Sequence, residues 1–426
     1  MHPQIFNLKN GLQVVFIDTK TFPTLTTLLL VSAGSRYEND KNNGIAHFLE
    51  HMFYKGSKKY PTPFIISSAI EALGGAWNAF TSKDYTGYYV KAANYHFPKV
   101  IDLLSDILLN PLLEEKEINK EKGVIVEEIN MYEDMPQNKV SELFENLTYD
   151  KTPLGYDIIG SKKTVTSFVR NDFSDYLSKL YFPQNALLVV AGGFEREKNY
   201  KSIIESHFDA WKGQGQGKFT GKIQENQSEP RQLIYDKATE QAHFCFGFRT
   251  FSFFDERKYV LSVLATILGG GASSKLFSEV REKRGLCYYI SSGRQHYRDV
   301  GNLVTQAGVP KELGKIKEAI AATWQEHQKV AAGEVSDEEM SRSKEMIKGR
   351  FLLSMEDSFN VAHYFGKKKL LENTIEEPEK IISLVDKITK EEVITLAKEI
   401  FQPSRMNLSV VGPIKASDIN LSQIIQ

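Results

Sequence analysis

Two histidines and a glutamate stand close together near the start of the chain. The segment Gly44-Ile-Ala-His-Phe-Leu-Glu-His-Met places His47 and His51 four residues apart, with Glu50 between them. On a helix this spacing puts both imidazoles on one face, where they can bind one tetrahedral metal ion. A carboxylate at Glu50 can take a proton from metal-bound water without being a ligand. The pattern predicts a hydrolytic metal site; the alternative is two helix-face histidines that are merely packed or solvated.

A two-histidine site needs a further protein ligand, and the acidic segment 114–134 is the best donor. It is predicted to be helical, with Glu121 and Glu128 on an otherwise apolar stripe. A buried carboxylate is costly without a partner, and a metal ion supplies one. Glu127 is the rival, but on a helix it points about 100° away. We expect Glu128 as third ligand and Glu121 as its support; the alternative is a solvated acidic face.

The chain that must position these residues has 426 residues and looks doubled. A segment rich in Gly, Gln and Lys, 213–231, separates 1–212 from 232–426. Near the end of each half a helix, a proline and a buried strand follow in turn, and Pro183 and Pro403 are 220 positions apart. We predict an α+β fold of two homologous α/β halves, each a mostly antiparallel sheet packed with helices. The alternative is two unrelated helix–strand units.

Hydrophobic periodicity predicts the individual elements of both halves. Strands are predicted at 12–18, 26–33, 84–93, 186–193, 232–236, 242–248, 286–295, 301–309 and 406–411. Helices are predicted at 44–55, 63–73, 96–109, 115–134, 136–148, 171–180, 257–268, 273–282, 311–332, 336–353, 357–371 and 390–400.

Composition excludes several classes of protein. Lys plus Arg number 53 against 54 Asp plus Glu, so the net charge of −1 gives no electrostatic case for a nucleic-acid or anionic-membrane partner. Two cysteines are too few for a disulfide framework. Neither a secretory signal nor a membrane-spanning run is recognisable in the sequence. We expect a soluble, cytoplasmic protein with no nucleic-acid and no membrane partner.

The His47-Phe-Leu-Glu-His segment, followed by Glu-Glu-Ile at 127–129, resembles the inverted zinc motif of the pitrilysin and insulinase metallopeptidases. It is especially similar to the branch that contains the catalytic subunit of the mitochondrial processing peptidase and its bacterial relatives. The resemblance covers nearly the whole chain. It implies one zinc ion per chain, held by His47, His51 and Glu128. It also implies Glu50 as general base and Glu121 as an auxiliary catalytic glutamate.

Two further segments resemble the substrate contacts of that family. The Gly74-Gly-Ala-Trp-Asn-Ala-Phe-Thr-Ser segment is similar to a strand that pairs with extended substrate, which a free strand edge can do. This implies substrate binding by Asn78, Ala79 and Phe80; the alternative is an ordinary hairpin strand. Arg281 and Tyr288 match a pair that reaches substrate from the second half, where a cation and a phenol can stabilise an oxyanion. Their near alternatives are Arg284 and Tyr289.

The second half has no metal motif of its own. When the long helices are aligned at an offset of 222 residues, Arg350 falls opposite Glu128, and a cation there argues against a second zinc. The glycine-rich segment 268–271 lacks the lysine spacing of a phosphate loop, so we exclude nucleotide binding.

The function expected from these features is a zinc endopeptidase. Its substrates would be peptides or unfolded polypeptide segments, bound as an edge strand in a closed chamber. The resemblance implies that a chain of this length pairs with another, and we expect a homodimer, with a heterodimer with a related subunit as alternative. The rival function is a non-catalytic scaffold or partner subunit of a related processing complex. A structural zinc protein is disfavoured, since it would need a fourth ligand and no general base.

Overall fold

The computed structural model describes residues 2–195, 198–215, 223 and 227–424. The chain divides into two compact units, each assembled from three stretches of sequence. Unit 1 comprises 1–129, 156–220 and 352–378, and unit 2 comprises 130–155, 221–351 and 379–426.

The strands of unit 1 contain many β-branched and aromatic residues, as sheet-forming segments do. They are β1 Gln4–Asn7, β2 Gln13–Asp18, β3 Thr24–Val31, β4 Ala76–Thr81, β5 Thr86–Ala93 and β6 Ala186–Gly192. Those of unit 2 are β7 Arg231–Asp236, β8 Gln241–Thr250, β9 Tyr289–His296, β10 Gly301–Pro310 and β11 Met406–Gly412.

The helices that precede residue 210 are α1 Ile45–Phe53, α2 Pro63–Glu71, α3 Phe97–Leu109, α4 Glu115–Asp134, α5 Pro136–Thr148, α6 Lys162–Ser167, α7 Arg170–Leu180 and α8 Tyr200–Phe208. The later helices are α9 Lys258–Gly269, α10 Leu313–Ala331, α11 Asp337–Ser354, α12 Ser358–Lys367, α13 Pro378–Lys387, α14 Lys390–Ile400 and α15 Leu421–Ile424. Two π-helical segments, Phe277–Lys283 and Lys368–Glu372, follow α9 and α12 in the chain.

The two sheets share the order of five strands, and the sheet of unit 1 has β1 as an additional strand at one edge. In unit 1 the order is β1-β2-β6-β3-β5-β4, and in unit 2 it is β7-β11-β8-β10-β9. One pair in each sheet is parallel, β2 with β6 and β7 with β11, and the remaining pairs are antiparallel. Strand β9 of unit 2 therefore occupies the edge position that β4 occupies in unit 1. The predicted fold class, two similar halves with mostly antiparallel sheets, is confirmed.

One helix from each half of the sequence belongs to the other unit. Helix α5 packs on β8 and β11 in unit 2, whereas α12 packs on β3 and β6 in unit 1. The two helices begin 222 residues apart (358 − 136), so they occupy equivalent places in the repeat. The predicted boundaries 1–212 and 232–426 stay a prediction about the repeat in the sequence. They differ from the limits of the compact units, because each unit includes one helix from the other half of the sequence. Within the predicted linker, 216–222 and 224–226 lie outside the described residues.

Helix α1, which carries the histidine motif, contacts the edge strand β4 of the sheet in unit 1. Strands β3 and β6 of that sheet are buried along nearly their whole length, and α12 packs against both. Helix α1 packs through Phe48 against Phe168 and Phe173, with ring centroids 6.0 and 4.9 Å apart. Burial of three aromatic rings anchors this short helix, which at nine residues would not be stable alone.

Most predicted elements are found within a few residues of their expected bounds. The helix predicted at 273–282 is instead a π-helical segment that begins at Phe277, and the strand predicted at 286–295 begins only at Tyr289. The prediction omitted β1, α6, α8, α13 and α15. Most of these elements are short, and α13 begins at a proline, which in a sequence usually indicates the end of a helix.

Candidate metal centre

Helix α1 carries the histidine motif on its partly exposed face. Gly44, just before the helix, has φ +97°, and a Cβ there would lie 2.7 Å from the Ile159 carbonyl oxygen. Only glycine adopts that conformation without strain and fits that space. Ile45, Phe48, Leu49, Met52 and Phe53 are buried, whereas His47, Glu50 and His51 lie on the half-buried side. The helix thus presents its three polar residues together.

Helix α4 brings Glu128 opposite both histidines. Glu128 Oε1 lies 3.7 Å from His47 Nε2, and Glu128 Oε2 lies 3.6 Å from His51 Nε2. These distances are too long for hydrogen bonds, and they leave space among the three side chains. Among the described residues, this is the one group of three His, Cys, Asp or Glu side chains whose donor atoms all lie within 4.8 Å of each other. Glu127, the rival considered from the sequence, is exposed and outside the group.

Glu121 lies outside this group but contacts one of its members, His51. Its Oε1 accepts a hydrogen bond of 2.8 Å from His51 Nδ1, so the other ring nitrogen of His51 is left to face Glu128. Its Oε2 forms an ion pair of 2.7 Å with Lys55 Nζ, four residues after His51 and just beyond the end of α1. The Glu121 side chain is almost fully buried, and these two contacts keep its carboxylate paired.

Glu50 faces the edge strand β4. Its Oε2 accepts a hydrogen bond of 2.5 Å from the Thr81 hydroxyl, at the last position of that strand. Trp77 on the same strand packs against Tyr54, just after α1, with ring centroids 4.5 Å apart. The helix and the strand are therefore in direct contact beside the histidines.

Burial changes the protonation of the group. Burial lowers the pKa of His47 to about 3, so this imidazole is neutral and able to act as a ligand. Burial also raises the pKa of Glu128 and of Glu50, and for Glu50 the charge of Glu128 adds to the effect. For Glu121, burial raises the pKa, but the hydrogen bonds from His51 and Lys55 outweigh it and the pKa is lowered. Glu121 is thus the carboxylate held most firmly in its ionised form.

The donor set fits a zinc ion by its chemistry. Two imidazole nitrogens and one carboxylate are typical of catalytic zinc sites, which keep another position open. Glu128 lies near the like-charged carboxylate of Glu121, and a cation held by Glu128 would offset this repulsion. His47 Nδ1 is buried and has no hydrogen-bond partner among the described residues. The His47 ring therefore lacks a hydrogen bond of the kind that Glu121 accepts from His51 Nδ1.

The predicted substrate strand is an edge strand. Strand β4 pairs with β5 on one side, and in the described sheet no strand pairs with its other side. Asn78 accepts a hydrogen bond from the backbone N–H of Ala79, while Phe80 lies across Gly87 of β5. The outer edge of β4 thus pairs with no other strand of the described sheet, although the Ala79 N–H is bonded to the Asn78 side chain.

Arg281 and Tyr288 lie in unit 2. The Arg281 guanidinium stacks 4.5 Å from the centre of the Phe277 ring, and 73% of Tyr288 is exposed. Their near alternatives have other partners. Arg284 pairs with Glu279 at 3.2 Å, and the Tyr289 hydroxyl contacts His243 Nδ1 at 3.0 Å.

In unit 2, Arg350 replaces the carboxylate of the first unit's long helix. Its Nη1 donates a hydrogen bond of 2.9 Å to the carbonyl oxygen of Gly270, at the end of α9. A cation beside the last carbonyls of a helix is stabilised by the helix dipole. In unit 2 this position thus carries a cation that contacts the end of α9.

Three residues of the site escaped the sequence reasoning. Lys55, Thr81 and Glu38, which contacts the start of α1, touch the motif only after folding. Lys55 had one sequence signal, because it lies four residues after His51 in the helix predicted at 44–55, although α1 ends at Phe53. No helix among the described residues is both long and apolar enough to cross a bilayer.

Known proteins resemble this chain over nearly its full length. The family model described as "Insulinase (Peptidase family M16)" matches residues 13–162, and "Peptidase M16 inactive domain" matches 167–347. An "uncharacterized zinc protease YmxG" of Bacillus subtilis is 34% identical over 93% of this chain and 95% of its own length. An "uncharacterized zinc protease" of Rickettsia bellii is 32% identical over 96% and 97%.

Solved structures agree in fold. A protease from Helicobacter pylori superposes with a TM-score of 0.89 at 24% identity, covering 97% of this chain and 99% of its own. A peptidase M16 inactive domain from Pseudomonas fluorescens superposes with a TM-score of 0.87 at 17% identity, covering 98% and 99%. With relatives above 30% identity aligned almost end to end, the chain belongs to the insulinase family of peptidases, family M16.

Proposed function

We propose that this protein is a zinc-dependent endopeptidase with one zinc ion per chain. The observation that carries the proposal is the meeting of His47, His51 and Glu128 around one point, with Glu50 beside them. Relatives named as zinc proteases support zinc as the metal. When bound at such a site, zinc supplies Lewis-acid polarisation of a carbonyl and makes water more acidic.

The side chains of α1 and α4 divide the remaining work. His47, His51 and Glu128 hold the metal, and Glu121 orients His51 through its Nδ1–H. Glu50 acts as general base: one carboxylate oxygen accepts the Thr81 hydroxyl hydrogen bond, and the carboxylate takes a proton from the attacking water. The same carboxyl group then returns the proton to the leaving amine, so the base is regenerated.

Substrates are peptides or unfolded segments that bind as an added strand. The free edge of β4, at Asn78, Ala79 and Phe80, supplies backbone hydrogen-bond groups that are independent of substrate sequence. Arg281 and Tyr288 are the proposed further substrate contacts, as a cation and an exposed phenol. We propose a homodimer enclosing a chamber, because the metal motif and the Arg–Tyr pair occur in one chain. The two free thiols favour the cytoplasm as compartment.

A peptide mixture tests the activity and its metal dependence together. The purified protein is incubated with a mixed peptide library, with and without a chelator, and the products are identified by mass spectrometry. We expect internal cleavages that disappear with the chelator and return when zinc is added back. Absence of any cleavage by the zinc-loaded protein would contradict the proposal.

One observation favours a second candidate, a non-catalytic scaffold or partner subunit. The second family model, at residues 167–347, carries the description "inactive domain". A scaffold would be inactive alone and with zinc, but would form a stable complex with a related subunit. Light scattering of the purified chain, together with the peptide assay, separates the two candidates. We expect an active homodimer, whereas a scaffold would be inactive.

A further inference from the structure

The carboxylate of Glu38 caps the helix that carries the histidine motif. Glu38 Oε1 accepts the backbone N–H of Ala46 at 2.8 Å, and Oε2 accepts the backbone N–H of Gly44 at 2.9 Å. Asn43 Nδ2 donates a third hydrogen bond of 2.9 Å. The first N–H groups of a helix have no partner within it, and Gly44, just before α1, has no side chain to supply one. Glu38 therefore performs the capping from six residues away.

The segment that carries Glu38 is also attached to the β4–β5 hairpin. Two backbone hydrogen bonds join it to the hairpin turn, Ser35 N–H to the Ser82 carbonyl at 3.3 Å and Arg36 N–H to the Lys83 carbonyl at 3.0 Å. The Arg36 guanidinium pairs with Asp84 at 3.2 Å, and both side chains are buried. This turn directly follows Thr81, the partner of Glu50.

Residues 35–38 are thus one rigid connection between two parts of the proposed active site. One end holds the hairpin that contains the substrate strand, and the other holds the first turn of α1. Glu38 is only 4% exposed, so its hydrogen bonds do not compete with bulk water. A buried carboxyl group can have a purely structural role in any fold. The segment of Glu38, however, connects α1, which carries Glu50, to the hairpin whose strand β4 Glu50 contacts.

We propose that Glu38 is a positioning residue of this peptidase. It fixes the start of α1 relative to the β4–β5 hairpin, and thereby holds the His47–His51 pair and Glu50 in register with Thr81 and the substrate strand. The inference rests on the proposed function. Displacement of reacting groups by about 1 Å can cost roughly a hundredfold in rate, so a cap distant from the chemistry has a large effect.

Two substitutions remove the cap to different extents. Glu38→Gln keeps the side-chain volume but presents an amide N–H₂ to one of the two backbone N–H groups, and Glu38→Ala removes both acceptors. The matched control is Asp106→Asn on α3. Asp106 is equally buried, at 3% exposure, and also accepts three hydrogen bonds, from Ser57, Lys59 and Asn110. Burial raises the pKa of Glu38 to about 7, so assays at about pH 8 keep it ionised.

The readouts are zinc affinity, by competition with a chelating dye, and kcat and KM at saturating zinc. We expect Glu38→Ala to raise the zinc dissociation constant and lower kcat by roughly 10- to 100-fold each, with Glu38→Gln between it and the native protein. Asp106→Asn should lower the melting temperature yet leave zinc affinity and kcat as in the native protein.

Two results would overturn the inference. One is that Glu38→Gln, or Glu38→Ala where it folds, loses stability but keeps native zinc affinity and kcat, which would make the cap purely structural. The other is an equal loss of zinc affinity in Asp106→Asn, which would make the effect general. Zinc affinity is measurable without turnover, so failure of the endopeptidase proposal shows separately, as a native protein that binds zinc but cleaves nothing.

Discussion

Glu121 offers the sharpest test of how the proposed metal ligands are held in place. Its Oε1 accepts the Nδ1–H of His51 at 2.8 Å, and its Oε2 pairs with Lys55 at 2.7 Å. Glu121→Gln keeps the shape and one acceptor but loses the charge that both contacts use. Lys55 then faces a neutral amide, and the hydrogen bond to His51 is no longer charge-assisted.

The size of the effect follows from the role of a ligand-orienting carboxylate. Loss of such a partner raises metal dissociation constants by roughly 10- to 100-fold, or about 1.4 to 2.7 kcal/mol. We expect Glu121→Gln near the lower end, because the amide oxygen can still accept from His51, and Glu121→Ala near the upper end. Lys55→Met, which leaves the bond to His51 intact, should weaken zinc binding less than Glu121→Ala.

Competition between the protein and a chelating dye measures the zinc dissociation constants. The zinc content of the protein at saturation is measured as well. Both Glu121 variants should still bind one zinc ion per chain when zinc is in excess. A Glu121→Ala protein with native zinc affinity would show that the contact between Glu121 and His51 does not contribute to zinc binding. Complete loss of zinc binding in Glu121→Gln would show that Glu121 is itself a ligand.

Two other substitutions or modifications have expected outcomes elsewhere in the chain. Gly87→Ala places a methyl group where the Phe80 ring lies, so it should lower the free energy of unfolding by about 1–3 kcal/mol, measured by urea denaturation. An unchanged midpoint would contradict the packing of Phe80. Burial raises the pKa of Cys245 to about 12 and that of Cys287 to about 11, so neither thiol should react with Ellman's reagent until the protein is denatured. Rapid reaction of the native protein would refute their burial.

The residues within single helices were the ones that sequence reasoning could place. The four-residue spacing of His47 and His51, and the stripe that contains Glu121 and Glu128, depend only on helical geometry. Because α1 and α4 form with nearly the expected bounds, His47, His51 and Glu128 lie close together and Glu121 contacts His51. The position of Glu128, rather than Glu127, beside the histidines likewise follows from the angle between neighbouring residues of a helix.

The contacts between separate elements could not be read from the sequence. Glu38 caps α1 through backbone N–H groups, which every residue except proline has, so no side-chain pattern signals it. Thr81 reaches Glu50 because a hairpin places the end of β4 beside α1. The exchange of α5 and α12 between the two units also depends on tertiary packing, since both helices have ordinary amphipathic sequences.

The central claim is that Glu50 is the general base of a zinc peptidase, and the variant Glu50→Gln tests it most directly. Peptide cleavage by this variant is measured by mass spectrometry on protein whose zinc content has been determined by elemental analysis. We expect zinc near one ion per chain and cleavage reduced by roughly 10²- to 10⁴-fold, because the amide cannot accept the proton. Cleavage at the native rate by zinc-loaded Glu50→Gln would contradict the claim.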